Sequence, residues 1–103
     1  MKILLANPPW IVGSRTGVRA GSRWPHLKIP EEERYMPYPF FLGYASSLLK
    51  KNGFEVKAID AIAEAISYEE FNKLVISFDP DLILSETSTP SLVQDIKLLS
   101  EIK

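Results

Sequence analysis

The stretch Lys2-Ile3-Leu4-Leu5-Ala6-Asn7-Pro8-Pro9 decides the fold. It reads as an apolar strand that stops on two prolines. Proline has no N–H to give a β-ladder, so the pair forces the chain out of the sheet. Asn7 is thereby left at the carboxyl edge of a strand that opens the chain. In an open α/β sheet, ligands bind at that edge.

Beyond the prolines runs a long excursion, Trp10 to Met36, without helical or strand periodicity. It holds Arg15, Arg19, Arg23 and Arg34, both tryptophans (Trp10 and Trp24) and the single histidine, His26. Regular alternation resumes after it. Pro39 to Asn52 reads as a helix, with proline in its first turn and Phe41, Ala45 and Leu48 at helical spacing on one face. Gly53 is the expected stop. Phe54 to Asp60 alternates apolar and polar residues, as a strand does. Ser67-Tyr68-Glu69-Glu70 is a capping box, and Phe71, Leu74, Val75 and Phe78 form an apolar stripe behind it. Asp79-Pro80-Asp81 ends that helix, because the residue before proline disfavours helical backbone. Leu82-Ile83-Leu84 is a short apolar run typical of a parallel strand. A last helix opens at Thr89-Pro90 or Ser91, with Leu92, Ile96 and Leu99 on one face.

Parallel strands joined by right-handed crossovers are the economical arrangement of this order. The reading is an α/β, flavodoxin-like (Rossmann-like) three-layer α/β/α domain. Its parallel sheet has strand order 2-1-3, with helices on both faces and the long loop (10–36) above the central strand. The 103 residues make one domain and not two. The third strand is an apolar edge that needs pairing or cover. Either the chain is the front of a larger domain, or it dimerises through that edge.

Composition narrows the classes. A net charge of −1 carries no nucleic-acid footprint. No apolar run approaches the roughly 18 residues that span a bilayer, and Met1 to Ala6 is too short for a secretory signal. The chain has no cysteine, which excludes disulfides, thiolate metal sites and an iron–sulfur cluster held by these residues. It is compatible with the cytoplasm, where we place the protein.

Within the excursion, Gly13-Ser14-Arg15-Thr16, Gly17-Val18-Arg19-Ala20 and Gly21-Ser22-Arg23-Trp24 repeat Gly-x-Arg-x. Glycine allows close backbone approach, and arginine grips phosphate or carboxylate in a bidentate way. One reading is an anion-binding loop that orders over a ligand or partner domain; the other is a solvated excursion. Neither a Walker loop nor a G-x-G-x-x-G is present. Trp10 and Trp24 serve either to stack on a planar ligand or, as such residues more often do, to pack the loop on its own domain. His26 and the Glu31-Glu32-Glu33-Arg34 run carry no recognisable site.

At the carboxyl edge, Asn7 either caps a turn or binds a ligand. Ser85-Glu86-Thr87-Ser88-Thr89 sets four hydroxyls and a carboxylate on the same edge, some of the hydroxyls being helix caps. Glu86 is the residue no structural role demands, and Asp60 ends the second strand. A receiver domain is excluded: no acidic pair follows the first strand, and Glu86 stands where a phosphorylatable aspartate belongs. No catalytic triad or metal cluster emerges.

Taken together, Lys2 to Pro9, Tyr38-Pro39-Phe40-Phe41-Leu42-Gly43-Tyr44-Ala45, Gly53-Phe54-Glu55-Val56, Ile59-Asp60 and Pro80-Asp81-Leu82-Ile83 resemble one family in order and spacing. The chain resembles the N-terminal cobalamin-binding-type domain of cobalamin-dependent radical SAM enzymes, such as methyltransferases and the anaerobic magnesium-protoporphyrin ester cyclase. The resemblance implies a five-stranded domain of which this chain supplies the first three strands and helices. Cobalamin would lie across the carboxyl edge with its nucleotide tail reaching into the domain. The cofactor-binding residues implied are Asn7, Pro8, Pro9, Tyr38, Gly43, Glu86, Thr87, Ser88 and Thr89, with no catalytic residue in this piece. Chemistry on a small-molecule substrate would belong to a following radical SAM domain. Its C-x-x-x-C-x-x-C motif would hold the iron–sulfur cluster that reduces S-adenosylmethionine. The D-x-H-x-x-G of methionine-synthase-type domains is replaced here by Asn7-Pro8-Pro9-Trp10, so cobalt would have no histidine from that motif. Two alternatives are carried: a non-catalytic interaction or substrate-recognition domain that has lost cobalamin, and a small nucleotide- or flavin-binding protein.

Overall fold

The computed structural model describes residues 1–19, 25–28 and 39–102. Strand β1 (Lys2–Asn7) lies in the middle of a parallel sheet, between β5 (Glu55–Asp60) and β6 (Leu82–Ser85). The order is the expected 2-1-3. The register pairs Asn7 with Asp60 and Ala6 with Ser85, so the carboxyl ends of the three strands are level. The ladder runs on past β6, where the Glu86 N–H donates to the Ala6 carbonyl at 2.8 Å. At the other end, the Lys2 N–H donates to the Asp81 carboxylate at 2.7 Å.

Alternation along β1 sends Leu4 and Ala6 to one face, and Ile3 and Leu5 to the other. On the Leu4 face the core is closed by helices α2 (Tyr68–Phe78) and α3 (Leu92–Glu101). Phe71, Val75 and Leu98 pack there with Ile59, Ala61 and Ile66. Helix α1 (Phe40–Lys51) packs on β1 and β5, with Leu42 and Gly43 beside Leu5 on the opposite face. The three-layer α/β/α domain is therefore present.

The local signals explain the ends. Pro39 precedes α1, and Gly53 follows it at φ +86°, a backbone that glycine adopts without penalty. The Ser67 hydroxyl accepts from the Glu70 N–H at 3.1 Å, and α2 stops at Asp79, left-handed at φ 53°, before Pro80. Removing that cap with Ser67→Ala should lower stability by about 1 kcal/mol in urea unfolding, with the m-value unchanged.

Two helix faces differ from the expectation. In α1, Phe41 and Leu48 point outward, Phe41 being 83% exposed, while Leu42, Ser46 and Leu49 turn inward. The apolar stripe is wider than one face, and the small Gly43 and Ser46 let the helix sit closer to the sheet than Phe41 would. In α3, Leu92 and Ile96 are exposed and the buried face is Ser91, Asp95 and Leu98. There a buried ion pair between Asp95 and Arg19 sets the rotation of the helix. Edge strand β6, paired on one side with β1 among the described residues, leaves Leu82 and Leu84 exposed, at 45% and 37%.

The larger correction concerns the excursion after Pro9. Three short strands, β2 (Ile11–Val12), β3 (Arg15–Val18) and β4 (His26–Lys28), pair antiparallel in a second sheet of order β2-β3-β4. Val12 pairs with Arg15 across a turn at Gly13-Ser14, with Gly13 at φ +60°. Val18 pairs with His26. Glycine at a two-residue turn between β-branched neighbours is a hairpin signal, and Ile11 to Thr16 contains it. Arg23, Trp24, Glu31 to Glu33, Arg34 and Tyr38 lie outside the described residues. No helix among the described residues is long and apolar enough to cross a membrane.

Candidate functional site

The carboxyl edge of β1 is built around one guanidinium. Arg19, just past β3, reaches back over the end of the sheet and is buried completely. Its side chain and that of Asp95 are 0% and 3% exposed. Nη2 donates to Asp95 Oδ1 at 2.8 Å and Nε to Ser91 Oγ at 3.1 Å. Nη1 is shared between Asn7 Oδ1 at 2.8 Å and the Pro8 carbonyl at 2.7 Å. The Trp10 ring lies 5.5 Å from the guanidinium carbon, within cation–π range. Burial lowers the Arg19 pKa from its ordinary value, and the charges of Asp95, Tyr68, Glu86 and Asp60 oppose that shift.

Asp95 is fully engaged. Its second oxygen accepts from Thr87 Oγ1 at 2.8 Å and from Ser91 Oγ at 2.7 Å. Ser88 and Ser91 share a hydrogen bond of 2.7 Å. The expected helix caps do not form here: neither the Thr89–Ser91 3-10 turn nor α3 has a side-chain cap. The hydroxyls of Thr87 and Ser91 serve a buried carboxylate instead, because that carboxylate must be satisfied more urgently than a helix end.

A strap holds the hairpin from the other side. The Tyr68 hydroxyl accepts from the Ile11 N–H at 2.8 Å and donates to the Ile11 carbonyl at 3.2 Å, while Gln94 Nε2 donates to the same hydroxyl at 2.5 Å. The strap and the Arg19 cluster tie β2 and β3 to α2, α3 and the end of β1.

These contacts sort the expected site residues. Asn7 is 3% exposed; its side-chain oxygen accepts from Arg19 and its side-chain amide donates to Asp60 Oδ1 at 3.0 Å. Pro8 and Pro9 are fully buried. All three form the floor of the edge, and Thr87 is drawn to Asp95. Glu86 and Ser88, half-buried, and Thr89, exposed, form the open rim. Gly43 lies apart, in the wall of a groove of about 200 Å³ between α1 and β5, where Leu5, Leu42 and Ala58 meet Asp60 and Glu64. Of the three Gly-x-Arg arginines, Arg15 is exposed and Arg19 is internal. Trp10, 4% exposed, packs the loop on its own domain. Sequence reasoning missed Asp95, Ser91, Tyr68 and Gln94. Asp95 did carry a signal, being an acid flanked by Leu92, Ile96 and Leu99 on an otherwise amphipathic helix.

Comparison with family models, with curated proteins and with solved structures finds no match for the chain. The fold and the edge therefore define a class, a flavodoxin-like α/β module with a strapped carboxyl edge.

Proposed function

We propose that this chain is the front of a cobalamin-binding-type domain that holds the cofactor for a following radical SAM domain in the cytoplasm. The observation that carries the reading is the placement of β1. It is central in a parallel sheet, with Asn7, Asp60 and Glu86 at one edge and α1, with Gly43, walling a groove beside it. The sequence resemblance assigns the cofactor to that edge and its nucleotide tail to a pocket beside that helix.

The residues present fit cobalamin in a modified form. Asn7, Pro8 and Pro9 would support rather than touch it, since Arg19 fills the space directly above them. Contacts would fall to Glu86, Ser88 and Thr89 on the rim and to the Gly43 groove for the tail. When bound, cobalamin supplies a methyl group or related radical chemistry to the neighbouring domain. This chain's own residues bind and orient: the Arg19 cluster keeps the rim rigid, and its burial excludes water from the end of β1. The open edge of β6 would take the remaining strands of the domain, with a second copy of the chain as the other candidate.

A second reading is favoured by the same arginine. An edge filled by the protein's own guanidinium suits a substrate-recognition or interaction module that has lost the cofactor. Titration of the full-length protein with hydroxocobalamin separates the two. A shifted visible spectrum at micromolar protein is expected, and an unchanged one would replace the first reading by the second. A C-x-x-x-C-x-x-C sequence downstream of Lys103 would tie the domain to radical SAM chemistry.

A further inference from the structure

We propose that the outer face of helix α1 docks on an anionic lipid surface. Phe40, Phe41, Tyr44 and Leu48 stand on that face, turned away from the sheet. They are 57%, 83%, 70% and 63% exposed. The inward side of the same helix is Leu42, Ser46 and Leu49, with Gly43. The spacing i, i+4, i+8 sets Phe40, Tyr44 and Leu48 in a row, and Phe41 flanks it. The Phe40 and Tyr44 rings are 6.4 Å apart between centroids, so the aromatic end of the row is one continuous surface. From Phe40 to Lys51 the row runs roughly 17 Å, at about 1.5 Å per residue. Single exposed apolar residues need no explanation, whereas a contiguous patch marks an interaction site.

Charge decides what covers it. Helix α1 has no acidic residue between Phe40 and Lys51, and it ends on Lys50 and Lys51. Asp60 and Glu64 belong to the groove on the sheet side of the helix. The other helices differ. The exposed side of α2 carries Glu69, Glu70 and Lys73, with Glu69 and Lys73 paired at 3.1 Å. Helix α3 sets Val93 and Ile96 among Lys97 and Glu101. Among the described residues, α1 alone joins an aromatic row to a purely cationic end.

A second copy of the chain is a poor occupant. Antiparallel rows would set each lysine pair against the partner helix's N-terminus, which is itself positive and carries no acid. Parallel rows would set lysines against lysines. A protein partner would need a groove of matching shape, whereas a lipid surface moulds to a convex row. Aromatic rings settle at headgroup level, and the lysines beyond them meet acidic headgroups. The chain's net charge of −1 gives no general attraction to such a surface, so binding would come from this face. The inference is independent of the cofactor reading, because none of these side chains lies at the carboxyl edge.

The test is co-sedimentation of the full-length protein with two vesicle preparations, phosphatidylcholine alone and phosphatidylcholine mixed with phosphatidylserine. Binding to the mixed vesicles is expected, with release as salt rises to about 0.5 M. Phe41→Ser/Leu48→Ser and Lys50→Glu/Lys51→Glu should each weaken it at least about tenfold. Both pairs are exposed, so the urea midpoint should not move. Lys73→Glu/Lys97→Glu makes the same change of net charge on α2 and α3, and should leave vesicle binding unaltered. That pattern supports the docking face. Absence of binding to the mixed vesicles, or equal binding to the neutral ones, overturns it and leaves a protein partner for the row. Binding that survives both α1 variants, or that the α2–α3 control weakens as much, overturns it as well.

Discussion

Arg19→Met should destabilise the protein by roughly 3–5 kcal/mol, the usual consequence of removing one partner of a buried ion pair. The side chain of Met occupies much the same length but offers no donor. Asp95 would be left as a buried carboxylate with only the Thr87 and Ser91 hydroxyls to satisfy it. Asn7 Oδ1 and the Pro8 carbonyl would lose a donor at the same moment. A domain of this size is stable by about 5–15 kcal/mol in total, so the urea midpoint should fall by roughly a fifth or more. Arg19→Lys should recover little. One ammonium cannot address Ser91, Asn7, Pro8 and Asp95 from a planar fork. The double variant Arg19→Met/Asp95→Leu should recover a large part, because it removes the orphaned charge as well as the cation. A loss below 1 kcal/mol in the single variant would mean that water reaches the cluster and that the edge is open.

The same cluster shows where sequence reasoning is strong and where it fails. The sheet order was legible because each strand carries its own local evidence: the run Ile3 to Ala6, the alternation of Phe54, Val56 and Ala58 with polar neighbours, the pair of prolines after Asn7. The cap at Ser67 and the stop at Gly53 are equally local. The faces of α1 and α3 were not legible, because rotation of a helix is a tertiary choice. Phe41 and Leu48 match an inward stripe as well as Leu42 and Leu49 do, and only the sheet beneath selects between them. In α3 the choice is made by Asp95, whose partner lies 76 residues earlier in the chain. An arginine among glycines reads as a ligand-gripping residue. Nothing local says that the carboxylate gripped by Arg19 belongs to the protein itself, and the same distance hides the Tyr68 strap on Ile11. The site is therefore half legible. Its place at the end of β1 can be read from sequence, whereas the split between floor residues (Asn7, Pro8, Pro9) and rim residues (Glu86, Ser88, Thr89) needs the packing.

Gly17→Ala should be nearly as damaging as loss of Arg19, and for a steric reason. A Cβ built on Gly17 would lie inside the van der Waals envelope of Trp10, against Cε3, Cδ2 and Cγ of its ring. The ring cannot retreat easily. It is 4% exposed, its own carbonyl is held by the Gly17 N–H at 2.7 Å, and Arg19 lies against it. Overpacking a filled core costs about 1–3 kcal/mol, and losing a desolvated cation–π contact adds up to about 2 kcal/mol. The expected total is therefore about 1–5 kcal/mol, with the near-ultraviolet circular dichroism of Trp10 altered. Gly13→Ala is the contrasting control. No atom lies within 4 Å of its added Cβ, and only the backbone at φ +60° opposes the change, at about 1 kcal/mol. Combining Gly17→Ala with Trp10→Leu should cost less than the two single losses added together, since the smaller side chain clears the clash. Simple additivity would show that Gly17 acts elsewhere than on the ring, and the strapped edge would then need another keystone.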